Sequence, residues 1–346
     1  MTENSVSDSG ENAPILITGA GGFLGQRIVA AALVAGHPVR AVLRDPNRIP
    51  EGWDGVDCIG ADLGNPEDAL ALTQALTGVR AVIHAAAGQG DDAAHARNTV
   101  GATARLIEAM QTVTPMPRLV LVSSFSVYGY AALPDWATLD ELTPPEIDAG
   151  QRDAYTRAKL TQEGLAICAA QSGGMAVRVI RPGAIYGPTR TETARLGWKK
   201  GRRLTPGSNV PVPAVHVDHV ARALLAAALT PMIPVPDDWP IHQGPGRIDV
   251  INIVDPDTPT QAQWLTARGE GRALILPRGA LMKLAKGLDL IGAFWPGLGR
   301  RLPSGLSEAS LAARFKPLHY SAARARDRLN IEPEQGFSAL MKESRT

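Results

Sequence analysis

The chain has 346 residues, 45% of them hydrophobic and 20% charged, with a formal net charge of +1. A charge so close to zero excludes a nucleic-acid footprint spread over the whole surface and points to small-molecule partners. Two cysteines, Cys58 and Cys168, without C-x-x-C spacing, exclude a disulfide framework and fit a reducing, cytoplasmic setting. No run approaches the roughly 20 apolar residues of a membrane span, so stable insertion into a bilayer is not expected.

Residues 1–13 are polar and acidic and read as a disordered tail, without the positive start and apolar stretch of a signal peptide. From 14 to 181, short apolar β-prone runs alternate with Ala/Leu-rich helical stretches, the pattern of βαβ units around a parallel sheet. Strands are predicted over 15–18, 39–43, 56–59, 81–84, 119–122 and 177–180. Each is nearly continuous in apolar character, as strands buried on both faces should be. After Pro182, Pro and Gly punctuate 183–213 and 231–240, which marks a less regular domain. A further helix over 220–229 is expected to return to the first domain. The expected fold class is α/β: a Rossmann-type doubly wound parallel sheet over 14–183, with 214–230 packing back on it. Segments 184–213 and 231–346 form a smaller, mixed substrate-binding domain.

The first strand runs into Thr18-Gly19-Ala20-Gly21-Gly22-Phe23-Leu24-Gly25, followed by a helix predicted over 26–35. Gly19 allows a tight turn, Gly22 lets backbone approach a pyrophosphate and Gly25 permits close helix–sheet packing. The helix N-terminus supplies N–H groups to the anion. A NAD site usually carries an acid at the end of the second strand, but here the chain reads Leu43-Arg44-Asp45-Pro46-Asn47-Arg48. Arg44, with Arg48 nearby, suits the 2'-phosphate of NADP through charge-assisted bonds. The competing reading has Asp45 turned inward to select NAD. Asp62 either meets the adenine amino group or caps the helix beginning near Pro66.

Tyr155-Thr-Arg-Ala-Lys159 follows the run Ser123-Ser124-Phe125-Ser126-Val127-Tyr128-Gly129. On a helix, residues four apart share a face, so the Lys159 ammonium stands near the Tyr155 phenol. A nearby cation favours phenolate, which is expected to lower a pKa that is ordinarily about 10. Hydride exchange at a carbon bearing oxygen needs donors already placed at that oxygen, and Ser124 and Tyr155 can be those donors. His84 reads more readily as a satisfied core residue than as a catalyst.

These motifs, TGAGGFLG, Asp62-Leu63, His84-Ala85-Ala86-Ala87, Asn98 in NTVGAT, SSFSVYG, YTRAK, RPGAIYGP and HVDHVARA, occur in the order found in extended short-chain dehydrogenases/reductases. Over about 15–228 the chain resembles this epimerase/dehydratase superfamily; beyond Leu229 the likeness is general, to the 3β-hydroxysteroid dehydrogenase/reductase branch. The resemblance implies that Ser124 hydrogen-bonds the reacting oxygen, Tyr155 exchanges its proton, and Lys159 holds the nicotinamide ribose while lowering the Tyr155 pKa. It also implies that Asn98 supports the proton path and that Pro182 and Gly183 lie beside the nicotinamide. Gly19, Gly22, Phe23, Leu24, Gly25, Leu63, Ala85, Ala86 and Ala87 complete the expected cofactor contacts. A homodimer is a further expectation from the family.

Departures from the family pattern narrow the reaction. Nucleotide-sugar dehydratases commonly place an acid pair after the hydroxyl residue, where this chain has Phe125 and Ser126, and neither side chain can eliminate water. Epimerases often carry an asparagine where this chain has Ala184. The expected activity is therefore hydride transfer between NADP, with NAD as the other option, and a secondary alcohol or its carbonyl. A nucleotide-sugar epimerase and a non-catalytic dinucleotide sensor are the alternatives. The basic stretch Arg195, Lys199, Lys200, Arg202 and Arg203 reads as a solvated face, with binding of a substrate anion as the sharper option. His216 and His219 lack further ligands for a metal, and His216 with Asp218 is expected to anchor the returning helix. Residues 281–302 read as a lid over an apolar substrate, with a membrane-surface contact as the alternative.

Overall fold

The computed structural model describes residues 12–200, 202–207, 209–232, 247–271, 273–294, 306–332 and 336–345. The chain divides into two compact units, one of Met1–Ser123, Thr161–Ile180 and Ala221–Val250, the other of Ser124–Leu160, Arg181–Val220 and Ile251–Thr346. The expected 14–183 domain is thus interrupted. After the fifth strand the chain leaves for the second unit, carrying Ser124 and Tyr155 with it.

In chain order the strands are β1 (Ile15–Thr18), β2 (Val39–Leu43), β3 (Asp57–Gly60), β4 (Ala81–His84), β5 (Arg118–Val122), the short β6 (Thr138–Leu139) and β7 (Val177–Pro182). They continue as β8 (Ala184–Tyr186), β9 (Trp198–Lys200), β10 (Arg202–Pro206), β11 (Ala214–His216) and β12 (Ile248–Ile253). Seven of them form one sheet in the order β12-β7-β5-β4-β1-β2-β3. Pairing is parallel from β7 through β3, with Ile15 opposite both Val39 and Ala81. The first unit's core fills one side of this sheet with Leu16, Val82, Leu106, Leu119 and Val179, all fully buried. Each such aliphatic side chain contributes about 1.5–3 kcal/mol by leaving water. The order reverses between β1 and β4, and open α/β sheets bind ligands outside the carboxyl ends of the strands at such a point.

The helices through the same span are α1 (Phe23–Val34), α2 (Ala69–Leu76), α3 (Asp92–His95), α4 (Ala102–Gln111), α5 (Ala154–Gly173), α6 (Val217–Leu229), α7 (Gln261–Ala267) and α8 (Arg278–Phe294). Helix α1 begins three residues before the predicted start, because Gly22 in extended conformation already serves as its N-cap. Strand β12 is absent from the predicted set. Its sequence, Ile-Asp-Val-Ile-Asn-Ile, carries two polar residues, yet both are buried. Asp249 pairs with Arg178 at 3.3 Å, and Asn252 accepts from the Tyr128 hydroxyl at 2.6 Å.

In the second unit, β8 pairs parallel with β11, while β10 joins β9 antiparallel and β13 (Leu274–Leu276) parallel. Strand β6 pairs with β14 (His319–Tyr320). Tyr186, Trp264 and Phe337 form an aromatic core with ring centroids 4.9–5.4 Å apart. Among the described residues, no helix is long and apolar enough to cross a membrane.

Candidate active site

The glycine turn between β1 and α1 admits no substitution at its two ends. Gly19 has φ +68°, and a Cβ there would lie 2.7 Å from the Ala86 nitrogen, so the backbones that follow β1 and β4 touch at the switch point. A Cβ on Gly25 would fall 2.1 Å from the Gly19 carbonyl oxygen and 2.7 Å from Ala20 Cα. The Gln26 side chain donates to the Gly21 carbonyl at 2.9 Å and ties the loop to the helix. Helix α1 has neither a side-chain cap nor an acid in its first turn, so nothing in its own sequence neutralises the positive end of its dipole. That donor set suits a diphosphate. Phe23 and Leu24, half-buried, open the helix, and Gly22 supplies its cap.

Arg44 follows β2 and is exposed, as is Arg48, whose guanidinium lies 3.6 Å from Asp45. Asp45 also accepts from the Asn47 N–H at 3.1 Å, so the acid that could select NAD is engaged in its own turn. Asp62 accepts from the Gly64 N–H at 2.9 Å and meets Arg97 at 3.2 Å. Asn65, not Asp62, caps the helical turn at Pro66, which removes the capping alternative for Asp62. Leu63 is buried and its carbonyl accepts from Arg105 at 2.6 Å. Ala85, Ala86 and Ala87 leave the end of β4. Asn98 lies in a π-helical turn, Ala96–Gly101, with its Oδ1 2.7 Å from the place a Gly64 Cβ would take. Such turns are often found at functional sites. His84 is wholly buried between the hydroxyls of Thr18 at 2.7 Å and Thr103 at 2.8 Å, a satisfied core residue as the sequence suggests.

The second unit brings Ser124, Tyr155 and Lys159 together. Asp153 starts helix α5 (Ala154–Gly173) by accepting from the Thr156 N–H at 2.9 Å, which fixes the first turn where Tyr155 stands. Arg152, buried just before it, donates to the carbonyls of Ser126 at 2.8 Å and Tyr128 at 3.0 Å and pairs with Glu146 at 3.1 Å. The loop bearing Ser124 is thereby clamped to the segment bearing Tyr155. The Ser124 side chain accepts from the Ser126 N–H at 3.1 Å and hydrogen-bonds the Tyr155 hydroxyl. Lys159 is buried, its Nζ 6.0 Å from the centroid of the Tyr155 ring.

One expectation is reversed. Burial pushes the Tyr155 phenol above its ordinary value, and this outweighs the lowering by the Ser124 bond and the Arg190 charge; Asp153 adds a further rise. The residue as a whole is 39% exposed, so it is the hydroxyl end that desolvation governs. Lys159 lies toward the face of the ring. A raised pKa keeps the phenol protonated through neutral pH, the form that donates to a developing alkoxide.

Phe125, where a dehydratase carries an acid, is buried edge-on to Tyr128 at 5.8 Å. Pro182 ends β7, and Gly183 donates to the Ile253 carbonyl at 2.9 Å, with 2.2 Å separating a Cβ there from the Pro213 oxygen. The basic stretch is a solvated face only in part: Lys199 and Arg202 are exposed, whereas Arg195 and Arg203 are drawn inward. Arg203 is buried against Glu192 and Glu270 at 2.9 Å each, Lys199 pairs with Glu270 at 3.4 Å, and Arg195 meets the Tyr130 hydroxyl at 2.8 Å. Asp255 accepts from the His216 N–H at 3.0 Å and contacts the His219 ring at 2.8 Å, while Asp218 lies 3.6 Å from His216. These contacts anchor the start of helix α6 (Val217–Leu229), and among the described residues no group of three or more His, Cys, Asp or Glu could hold a metal. Of the 281–302 segment, residues 295–302 lie outside the described residues.

A profile of the NAD dependent epimerase/dehydratase family matches residues 15–239. The chain is 33% identical over 233 residues to a 2-alkyl-3-oxoalkanoate reductase of Stenotrophomonas maltophilia (strain K279a), covering 63% of this chain and 66% of that protein. It is 28% identical over 239 residues to cinnamoyl-CoA reductase 1 of Oryza sativa subsp. japonica, covering 64% and 69%. The matched span is thus about two thirds of either relative's length. In structure it is similar to MoeE5 in complex with UDP-glucose and NAD, with a TM-score of 0.65, 21% identity and 96% and 97% of the two chains covered, a likeness of fold. The chain is an NAD(P)-dependent oxidoreductase of the extended short-chain dehydrogenase/reductase type, and it belongs to the NAD dependent epimerase/dehydratase family.

Proposed function

We propose that this protein is an NADP-preferring reductase that interconverts a carbonyl and a secondary alcohol, with Tyr155 as the proton donor. The observation that carries the reading is the Ser124–Tyr155 hydrogen bond on a capped, clamped helix start, with the phenol held protonated by burial. The bound nicotinamide would supply or accept the hydride. The chain's part is to hold the carbonyl oxygen between the Ser124 and Tyr155 hydroxyls and to pass the Tyr155 proton to it as negative charge develops. Lys159 then stabilises the phenolate left behind. Asn98 would support proton return. The bulky, buried Phe125 and the hydroxyl-bearing Ser126 leave no acid for dehydration, and several similar proteins are named reductases.

The loop and first helical turn at Gly19, Gly22, Phe23, Leu24 and Gly25 would hold the pyrophosphate, and Ala85, Ala86 and Ala87 the adjoining ribose. Asp62 and Leu63 would flank the adenine, and Pro182 with Gly183 the nicotinamide. Arg44 favours NADP, since it is exposed and forms no hydrogen bond or ion pair among the described residues, while Asp45 is occupied by Asn47 and Arg48. Loss of one charge-assisted contact costs about 1.5–3 kcal/mol, so Arg44→Ala is expected to weaken NADPH binding by roughly 10- to 150-fold. NADH binding should change little. Titration with both dinucleotides checks this, and equal losses would remove the 2'-phosphate role.

The reaction itself is tested by turnover: a reductase consumes NADPH in proportion to the carbonyl reduced, whereas an epimerase keeps its dinucleotide and consumes none.

A further inference from the structure

Helix α8 (Arg278–Phe294) is apolar on two sides. At about 3.6 residues per turn, Leu281, Met282 and Ala285 fall together, and they pack on Leu311 and Phe315. Asp289, the helix's single acid, also belongs to that side, where it accepts from the Glu308 N–H at 2.8 Å. The opposite side carries Leu284, Leu290, Ile291 and Phe294, exposed to 60%, 54%, 40% and 79%. Lys283 and Lys286 are exposed among them. Soluble proteins seldom leave four large apolar side chains on one helix face in water, and such a face marks a contact surface.

We propose that this outer face of α8 is a docking surface for an anionic lipid bilayer. The occupant follows from charge. Lysines interspersed with leucine, isoleucine and phenylalanine, with no acid on that face, match an interface in which apolar side chains enter the acyl boundary and ammonium groups meet headgroup phosphates. A second copy of the chain fits poorly, because a two-fold contact would set the same basic, acid-free face against itself. The bilayer contact is peripheral, with the helix lying in the plane of the interface. It rests on α8 alone and stands whether or not the Tyr155 reading holds.

The test is co-sedimentation of the full chain with vesicles of phosphatidylcholine alone and of phosphatidylcholine mixed with phosphatidylglycerol. Two lysines near an anionic surface predict at least roughly tenfold stronger binding to the mixed vesicles, weakening as salt is raised. Leu290→Ser with Phe294→Ser should abolish binding, and Lys283→Glu with Lys286→Glu should erase the preference for the anionic lipid. Circular dichroism and a thermal melt of each variant confirm that the fold persists. Binding that ignores the lipid charge, or that survives the Leu290/Phe294 change in a folded variant, overturns the proposal. So does a dimer in sedimentation velocity that this change dissolves while the parent protein ignores vesicles.

Discussion

Tyr155→Phe is expected to lower kcat for carbonyl reduction by about 10²–10⁴-fold while NADPH affinity and KM change little. The substitution removes one oxygen. It takes away the proposed proton donor and the bond to Ser124, but it keeps the ring near Lys159 and the helix start capped by Asp153. In the parent enzyme, burial raises the phenol pKa, so kcat/KM for reduction should stay level through neutral pH and fall only above about 10, the ordinary phenol value, as the donor is lost. The residual rate of the phenylalanine variant should lack that alkaline fall. Steady-state kinetics across pH in both proteins check the assignment; an unchanged rate in the variant would remove Tyr155 from the chemistry.

Gly25→Ala is expected to abolish measurable NADPH binding and to destabilise the first unit. Its Cβ would meet the Gly19 oxygen at 2.1 Å and Ala20 Cα at 2.7 Å, and all of these are backbone atoms that no rotamer change can move. Overpacking of this kind costs about 1–3 kcal/mol where the structure can adjust. The adjustment available is a shift of the turn away from α1, which withdraws the N–H groups that should meet the pyrophosphate. Gly164→Ala is the control. That glycine sits in α5 with nothing within 4 Å of a new Cβ, and replacing it should stabilise the helix by about 0.5–1 kcal/mol without affecting the dinucleotide. Melting temperatures and NADPH titration of the two variants separate the effects. If Gly25→Ala bound like the parent, the turn would not be the pyrophosphate cradle.

The parts of this molecule that could be read from sequence are those whose signal is local. β1, β2 and β4 stand where continuous apolar runs put them, and the glycine turn lies between β1 and α1, where a pyrophosphate cradle would need it. β12 escaped because Asp249 and Asn252 break its apolar run; each finds one buried partner, Arg178 and Tyr128, far away in sequence. Partners outside the run likewise hid the fate of Arg203, while Lys199 and Arg202 stay exposed. Arg203 looks solvated until Glu192 and Glu270 close around it. Spacing could place Lys159 one turn from Tyr155, but not reveal that burial of the hydroxyl outweighs nearby charge. Arg152 and Asp153 adjoin the YTRAK motif and could have been noticed as a cap and a clamp, since an aspartate ahead of a helix is a common N-cap.

Hydride tracing distinguishes Tyr155-dependent carbonyl reduction from epimerisation. The protein is incubated with NADPH deuterated at the transferring position of the nicotinamide and a panel of β-keto acids, aromatic or aliphatic aldehydes and ketones, and, in parallel, with a sugar nucleotide. NADP should form in proportion to alcohol, with deuterium on the carbinol carbon of the product and no such transfer by Tyr155→Phe. Dinucleotide that stays bound and labelled while a sugar nucleotide is inverted, with no net NADPH oxidised, would contradict it.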